Sequence, residues 1–139
     1  MDGSLTNRGE ELALELMFRN GTEQPSNIYL GLATNASLGE DVTLSTIAEV
    51  DDTGYARQEV VFNAPTLVDG KQLIENGSQQ EFGPWANDED VGVTYAFLTD
   101  VSSGTTGNVL ALYEISTAKT PSAGESLIVT AGNCGVSFE

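Results

Sequence analysis

The apolar residues of this chain change their spacing at Pro25. Before it they recur every three or four residues, and after it they alternate. Alternation over four to eight residues is the pattern of a strand covered on one face, so most of the chain is committed to sheet. In residues 27–34, Ile28, Leu30 and Leu32 oppose Tyr29, Gly31 and Ala33. In residues 55–63, Val60 and Phe62 oppose Glu59, Val61 and Asn63. Val91, Val93, Tyr95 and Phe97 alternate with Gly92, Thr94, Ala96 and Leu98. Asp69-Gly70, set between Leu67-Val68 and Leu73-Ile74, is a strong short-range hairpin signal. Residues 109–115 and 126–130 read as further strands, and 135–138 is placed to close the sheet. Turn clusters fill 102–108 and 120–124. Seven or eight short strands joined by turns predict an antiparallel β-sandwich or barrel, jelly-roll-like, rather than βαβ units.

The 3.6-residue spacing before Pro25 predicts one N-terminal α-helix over residues 7–20. Thr6 or Asn7 caps it, Glu10 and Glu11 suit its first turn, and Leu12, Ala13, Leu16 and Met17, joined by Leu5, form its apolar stripe. Arg19 lies in the last turn and Asn20-Gly21 is a stop signal. The expected organisation is a helical arm over 1–25 and a β-sandwich domain over 26–139. Segments 35–53 and 76–90 are long and irregular, and loops of that length tend to serve function or an interface.

The side-chain inventory narrows the chemistry. The 139 residues include twenty-one acids, five cations, no histidine and one cysteine, for a net charge of −16. Such a body repels nucleic acid and anionic membranes. Residues 1–18 lack the basic start and apolar run of an export signal, and no stretch reaches the roughly 18 apolar residues of a membrane span. A soluble chain made in a reducing compartment is expected, because the lone Cys134 excludes an internal disulfide. With no histidine to activate it, that thiol is expected to be buried and inert.

Asp88-Glu89-Asp90, with Glu81 and Asn87 near it, is the densest carboxylate cluster, but it lacks the glycine and terminal glutamate of a calcium loop. Gly104-Thr-Thr-Gly107 lacks the lysine and following helix of a phosphate loop. No cofactor or metal is expected, and no catalytic residue is assigned. Phe82-Gly-Pro-Trp85 places the only tryptophan beside the acids. Half-burial at one end of the sandwich is its expected state, with an interface anchor or a sugar-stacking ring as alternatives. Three Asn-x-Ser/Thr triplets, at Asn20, Asn35 and Asn76, are discounted as chance matches in a chain rich in asparagine and hydroxyl residues.

The order of certain short segments resembles a known family. These are Phe18-Arg-Asn20, Asn27-Ile-Tyr-Leu-Gly-Leu-Ala-Thr34, Thr53-Gly-Tyr-Ala-Arg-Gln58, Val60-Val-Phe-Asn-Ala-Pro65, Asn76, Phe82-Gly-Pro84, Leu110-Ala-Leu-Tyr-Glu114 and Pro121-Ser-Ala-Gly-Glu125. Together they are similar to small tailed-bacteriophage virion proteins, described as tail-fibre-like or as head decoration (cement) proteins. Segment 35–53 is longer and more acidic than that family leads one to expect. The resemblance implies a β-sandwich virion structural protein with no enzymatic activity, made in the host cytoplasm. It implies a homo-oligomer, trimer or dimer, that clamps the major capsid protein lattice from the capsid exterior. A tail or fibre component is the alternative within the particle, and a carbohydrate-binding module or a small glycosidase the alternatives from other classes. Leu12, Leu16, Phe18, Arg19, Tyr55, Arg57 and Trp85 are the expected interface residues. For Arg57, pairing with a carboxylate of its own chain is the competing expectation.

Overall fold

The computed structural model describes residues 3–138. In chain order they form β1 (Gly3–Leu5), α1 (Asn7–Leu14) continued by a π-helical turn (Glu15–Arg19), β2 (Ile28–Ala33), β3 (Gln58–Val60), β4 (Thr66–Val68), β5 (Lys71–Glu75), β6 (Gln80–Phe82), β7 (Val93–Thr99), β8 (Val109–Lys119), β9 (Leu127–Val129) and β10 (Gly135–Phe138). The fold is mainly β, as the alternation predicts. Every paired strand runs antiparallel to its neighbour, in a five-stranded sheet β1-β8-β7-β2-β3, a three-stranded sheet β10-β5-β4 and a two-stranded sheet β6-β9.

The five-stranded sheet is covered on both faces, not one. Against its first face the two small sheets bring Phe82, Trp85 and Cys134 onto Leu30, Leu32, Ala96, Leu98 and Tyr113. Against its second face the irregular segment after β2 lays Val42 and Leu44 over Ala33, Tyr95, Phe97, Val109 and Leu112. That segment is anchored by main-chain bonds at both ends of its return: Thr34 N–H to Ala48 C=O (2.8 Å) and Val50 N–H to Leu32 C=O (3.1 Å). The expectation of one-sided cover failed here because Val42 and Leu44 belong to no strand. Their covering role exists only once the loop has folded back.

Two register features bend the simple alternation. The pairing of β7 with β8 slips between Val93 and Tyr95, and an irregularity of this kind changes side-chain parity. Val93 therefore joins the first core and Tyr95 and Phe97 the second, and Val91 is left exposed. After Val60 the chain leaves the large sheet: Phe62 bridges to Asn76, and Asn63 N–H donates to Glu75 C=O at 2.8 Å. The Asp69-Gly70 hairpin is as expected, with Val68 opposite Lys71 and both turn residues at positive φ, 49° and 79°. β10 closes the small sheet against β5.

Thr6 is the helix cap, accepting from Gly9 N–H at 3.0 Å, and Asn20 ends the helical segment in the left-handed conformation at φ 53°. Leu5 does not extend the helix stripe. It lies in β1, opposite Ala111 of β8, so the chain enters the helix directly from the edge of the main sheet. The helix then crosses β8 so closely that a Cβ on Gly9 would stand 2.1 Å from the Leu110 carbonyl oxygen. Alanine favours a helix over glycine by about 1 kcal/mol, yet overpacking against a backbone atom costs about 1–3 kcal/mol. Gly9→Ala is therefore expected to lower the thermal unfolding midpoint, read by far-UV circular dichroism. A raised midpoint would mean that the helix lifts from β8 without cost.

Candidate interaction surface

The structure divides the seven expected interface residues into two groups. Leu12, Tyr55, Arg57 and Trp85 are engaged within the chain, and Leu16, Phe18 and Arg19 face outward. Arg57 is the clearest of the first group. Its Nε donates to Glu49 Oε1 (2.9 Å) and its Nη2 to Glu49 Oε2 (2.7 Å), a two-pronged ion pair. The remaining donors reach the carbonyls of Val101 (3.0 Å) and Gly104 (2.9 Å), and the guanidinium lies 5.5 Å over the Phe97 ring. Tyr55 completes the network. Its hydroxyl donates to Glu49 Oε1 and accepts from Leu32 N–H, both at 2.8 Å. Burial, reinforced by the Glu49 charge, pushes the Tyr55 hydroxyl far above the usual phenol range. Two connecting segments, the one between β2 and β3 and the one between β7 and β8, are thus tied together and to β2 through the Glu49–Arg57–Tyr55 network, and the pairing of Arg57 inside its own chain is the expectation that holds.

Trp85 is a core residue at 2 % exposure. Its ring meets Tyr55 at 6.5 Å and 53°, and Tyr55 stacks on Phe82 at 5.9 Å. This corrects the half-buried expectation: in the folded chain the ring has no free face. The acids around it serve as anchors for backbone. Asp52 accepts from the amides of Gly54, Ala86 and Asn87 at 2.8–3.0 Å. These bonds, that from Ala86 foremost, hold its carboxyl below the usual range. Asp88 accepts from Ala123 N–H (2.9 Å) and Glu89 from the Trp85 indole (3.3 Å). Among the described residues, no three carboxylate, thiol or imidazole side chains are grouped to hold a metal ion.

Asn76 has a role that the residue pattern did not disclose. Fully buried, it donates to Ser78 C=O, Gln80 Oε1 and Thr130 C=O, and it accepts from Cys134 N–H at 2.8 Å. It joins the ends of β5, β6, β9 and β10, and in the folded chain no glycan can reach it. Cys134 is buried beside Tyr113, and burial raises its thiol pKa, so it stays protonated and unreactive at neutral pH. Among the described residues no helix is long and apolar enough to cross a membrane.

What remains open is the far half of the helical segment. Leu12 is buried on β8, but the π-helical turn that follows adds a residue to the repeat and rotates the next side chains away. Leu14, Met17 and Phe18 are 58 %, 68 % and 74 % exposed, and Leu16 is partly exposed beside them. Between this face, β1 and the hairpin strand β5 runs an open groove of about 900 Å³, lined by Leu5, Ala13, Leu14, Met17, Phe18 and the Lys71–Gln72 segment among others. On the flank of the helix, Arg8 pairs with Glu11 (2.9 Å) and Arg19 with Glu15 (3.3 Å). An apolar stripe bare over this length is what a surface kept for a partner looks like.

Fold and surface together define a mainly β protein that spends its polar side chains on holding loops and leaves one apolar helical face open. The chain matches the family model described as Podophage GP4 fiber I protein gp80 over residues 4–137, and it belongs to that family. It is a phage virion structural protein, in agreement with the resemblance noted in the sequence and on its fibre side. No curated protein matches the chain.

Proposed function

We propose that this chain is a structural subunit of the tail-fibre apparatus of a podophage particle, joined to its neighbours through the open helical face. The family match carries the reading, because it takes in the helix and every strand from β2 to β9. The geometry supports it: Arg57, Glu49, Asp52 and Tyr55 are all engaged in holding loops, and the role needs no catalytic group. Decoration of the head, with the subunit clamped on the major capsid protein at the capsid exterior, is the competing assignment within the same particle.

Copy number separates the two. A fibre subunit is expected at a few to tens of copies per particle and a head decoration at hundreds, which quantitative mass spectrometry of purified virions measures. Antibody labelling seen by electron microscopy should fall on the tail. Labelling spread over the head, at lattice stoichiometry, would transfer the protein to the capsid exterior.

A further inference from the structure

A second cleft, of about 880 Å³, runs between β9 and the last third of β8. Irrespective of where the subunit sits in the particle, we infer that this cleft binds an extended segment of a different protein. The segment adds as a third strand beside β9, lays apolar side chains against the core and directs a carboxylate to Lys119. Both walls of the cleft are strand backbone left without a neighbour. Among the described residues β9 pairs with β6 alone. All three residues of β9, Leu127, Ile128 and Val129, line the cleft but only Phe82 of β6 does, so the cleft follows the free edge of β9. Across it stands the part of β8 that outruns its partners. β1 covers β8 only at Ala111, Leu112 and Tyr113. On the other side Tyr95 lies opposite Glu114 and Val93 opposite Lys119, so Thr94 alone of β7 faces residues 115–118 of β8. A bulge of that size leaves peptide groups outside the ladder. Unpaired strand edges are templates for another chain, and a strand added there gains affinity from main-chain bonds and specificity from its alternate side chains.

The base and the charge of the cleft select the occupant. Leu32, Phe82 and Ala96 of the first core lie at its base, and Ile115, Leu127 and Val129 are only partly covered beside them. Ile128 is half-exposed at the rim. A strand entering here meets apolar surface on one face, which calls for an apolar residue at every second position. A purely apolar ligand would instead take water from the peptide groups of both walls and return no hydrogen bond, at a cost for each. Charge narrows the choice further. Arg8, Arg19 and Arg57 each pair with a carboxylate of their own chain, whereas Lys119 has no ion-pair partner among the described residues, and even Glu114 in the same lining makes none with it. In a chain with twenty-one acids and five cations, an ammonium that meets none of those acids is open to a carboxylate from outside. Elsewhere the net charge of −16 repels acidic segments, so an acid on the partner strand is accepted at Lys119 and its register is fixed there.

Fluorescence polarisation of labelled peptides against the full chain tests the inference. Three peptides of about six alternating Val and Thr residues are compared: one ending in a free carboxylate, one ending in Glu and amidated, and one amidated with no acid. Saturable binding of an acid-bearing peptide is expected, roughly tenfold or more tighter than the neutral one, as a charge-assisted hydrogen bond provides. The free carboxylate binding best identifies a chain end as the partner and the Glu side chain an internal segment, and either result supports the inference. Lys119→Glu should abolish the preference and transfer it to an amidated peptide ending in Lys. Val91→Ser, which alters an exposed apolar side chain outside the cleft, should change nothing. Amide hydrogen exchange in β9 should slow on binding, because an added strand covers its free edge. Near-UV circular dichroism of the Trp85 environment reports whether each variant is folded, and Lys119→Gln replaces Lys119→Glu should the latter fail to fold. No saturable binding, equal affinity for all three peptides, a preference that survives loss of the Lys119 charge, or exchange in β9 left unchanged would overturn the inference. So would dodecanoate binding more tightly than the peptides without slowing that exchange, the mark of a lipid site, or self-association of the chain that Lys119→Glu abolishes, the mark of a second copy in the cleft.

Discussion

Arg57→Leu is expected to destabilise the protein by about 3–5 kcal/mol, the usual cost of removing one partner from a buried ion pair. Single domains are stable by about 5–15 kcal/mol in all, so the variant should unfold at much lower urea. The cost is specific to what Arg57 holds. Its loss leaves Glu49 charged and half-buried with only the Tyr55 hydroxyl, and it strips the Val101 and Gly104 carbonyls of their donor. Arg57→Lys keeps the charge but not the planar fork, and should fall between wild type and Arg57→Leu. The double variant Glu49→Leu with Arg57→Leu should recover part of the loss, since the stranded carboxylate is gone. If Arg57→Leu costs less than about 1 kcal/mol, the pair behaves like a solvent-exposed one and the two loops are held by other contacts.

How much of this was legible beforehand depended on whether the signal was local. The Asp69-Gly70 turn, the capped helix start and the alternation of β2 are properties of neighbouring residues, and they appear where the sequence places them. β1 and β6 are three residues each and carry no full alternation, so only pairing with β8 and β9 defines them as strands. Val42 and Leu44 have the spacing of a strand but none of its length, and their partners Tyr95 and Phe97 lie some fifty residues on. The break in helix periodicity after Leu14 has no residue signature such as proline. It became visible only as side chains that should be covered and are not. Of the expected interface set, Phe18, Leu16 and Arg19 lie at the surface, whereas Arg57 and Trp85 have the residue types of binding anchors and were used as internal ones. Arginine and tryptophan favour buried and interface positions for the same physical reasons, so type alone does not separate the two.

Trp85→Ala is expected to cost about 3–5 kcal/mol, the range for removing a large aromatic side chain from a close-packed core. The ring is enclosed by Tyr55 and the first core, and the main chain on either side is pinned: Trp85 N–H donates to Glu125 C=O at 2.8 Å, and Trp85 C=O accepts from Gly124 N–H at 2.7 Å. The backbone is thus held while the ring is removed, which limits collapse of the cavity and keeps the cost high. Trp85→Phe retains an aromatic ring and loses the indole bond to Glu89, so most of the stability should remain, at a cost of about 1 kcal/mol for the bond plus a smaller void. Urea unfolding followed by far-UV circular dichroism measures all three proteins, since the wild type's only fluorescent tryptophan is the residue replaced. Attachment to particles should fall in step with the unfolded fraction and recover wherever Trp85→Ala is refolded by cooling or osmolyte. A Trp85→Ala protein that is as stable as wild type yet fails to join particles would show that the tryptophan leaves the core to meet a partner, and the core described here would have to open for it.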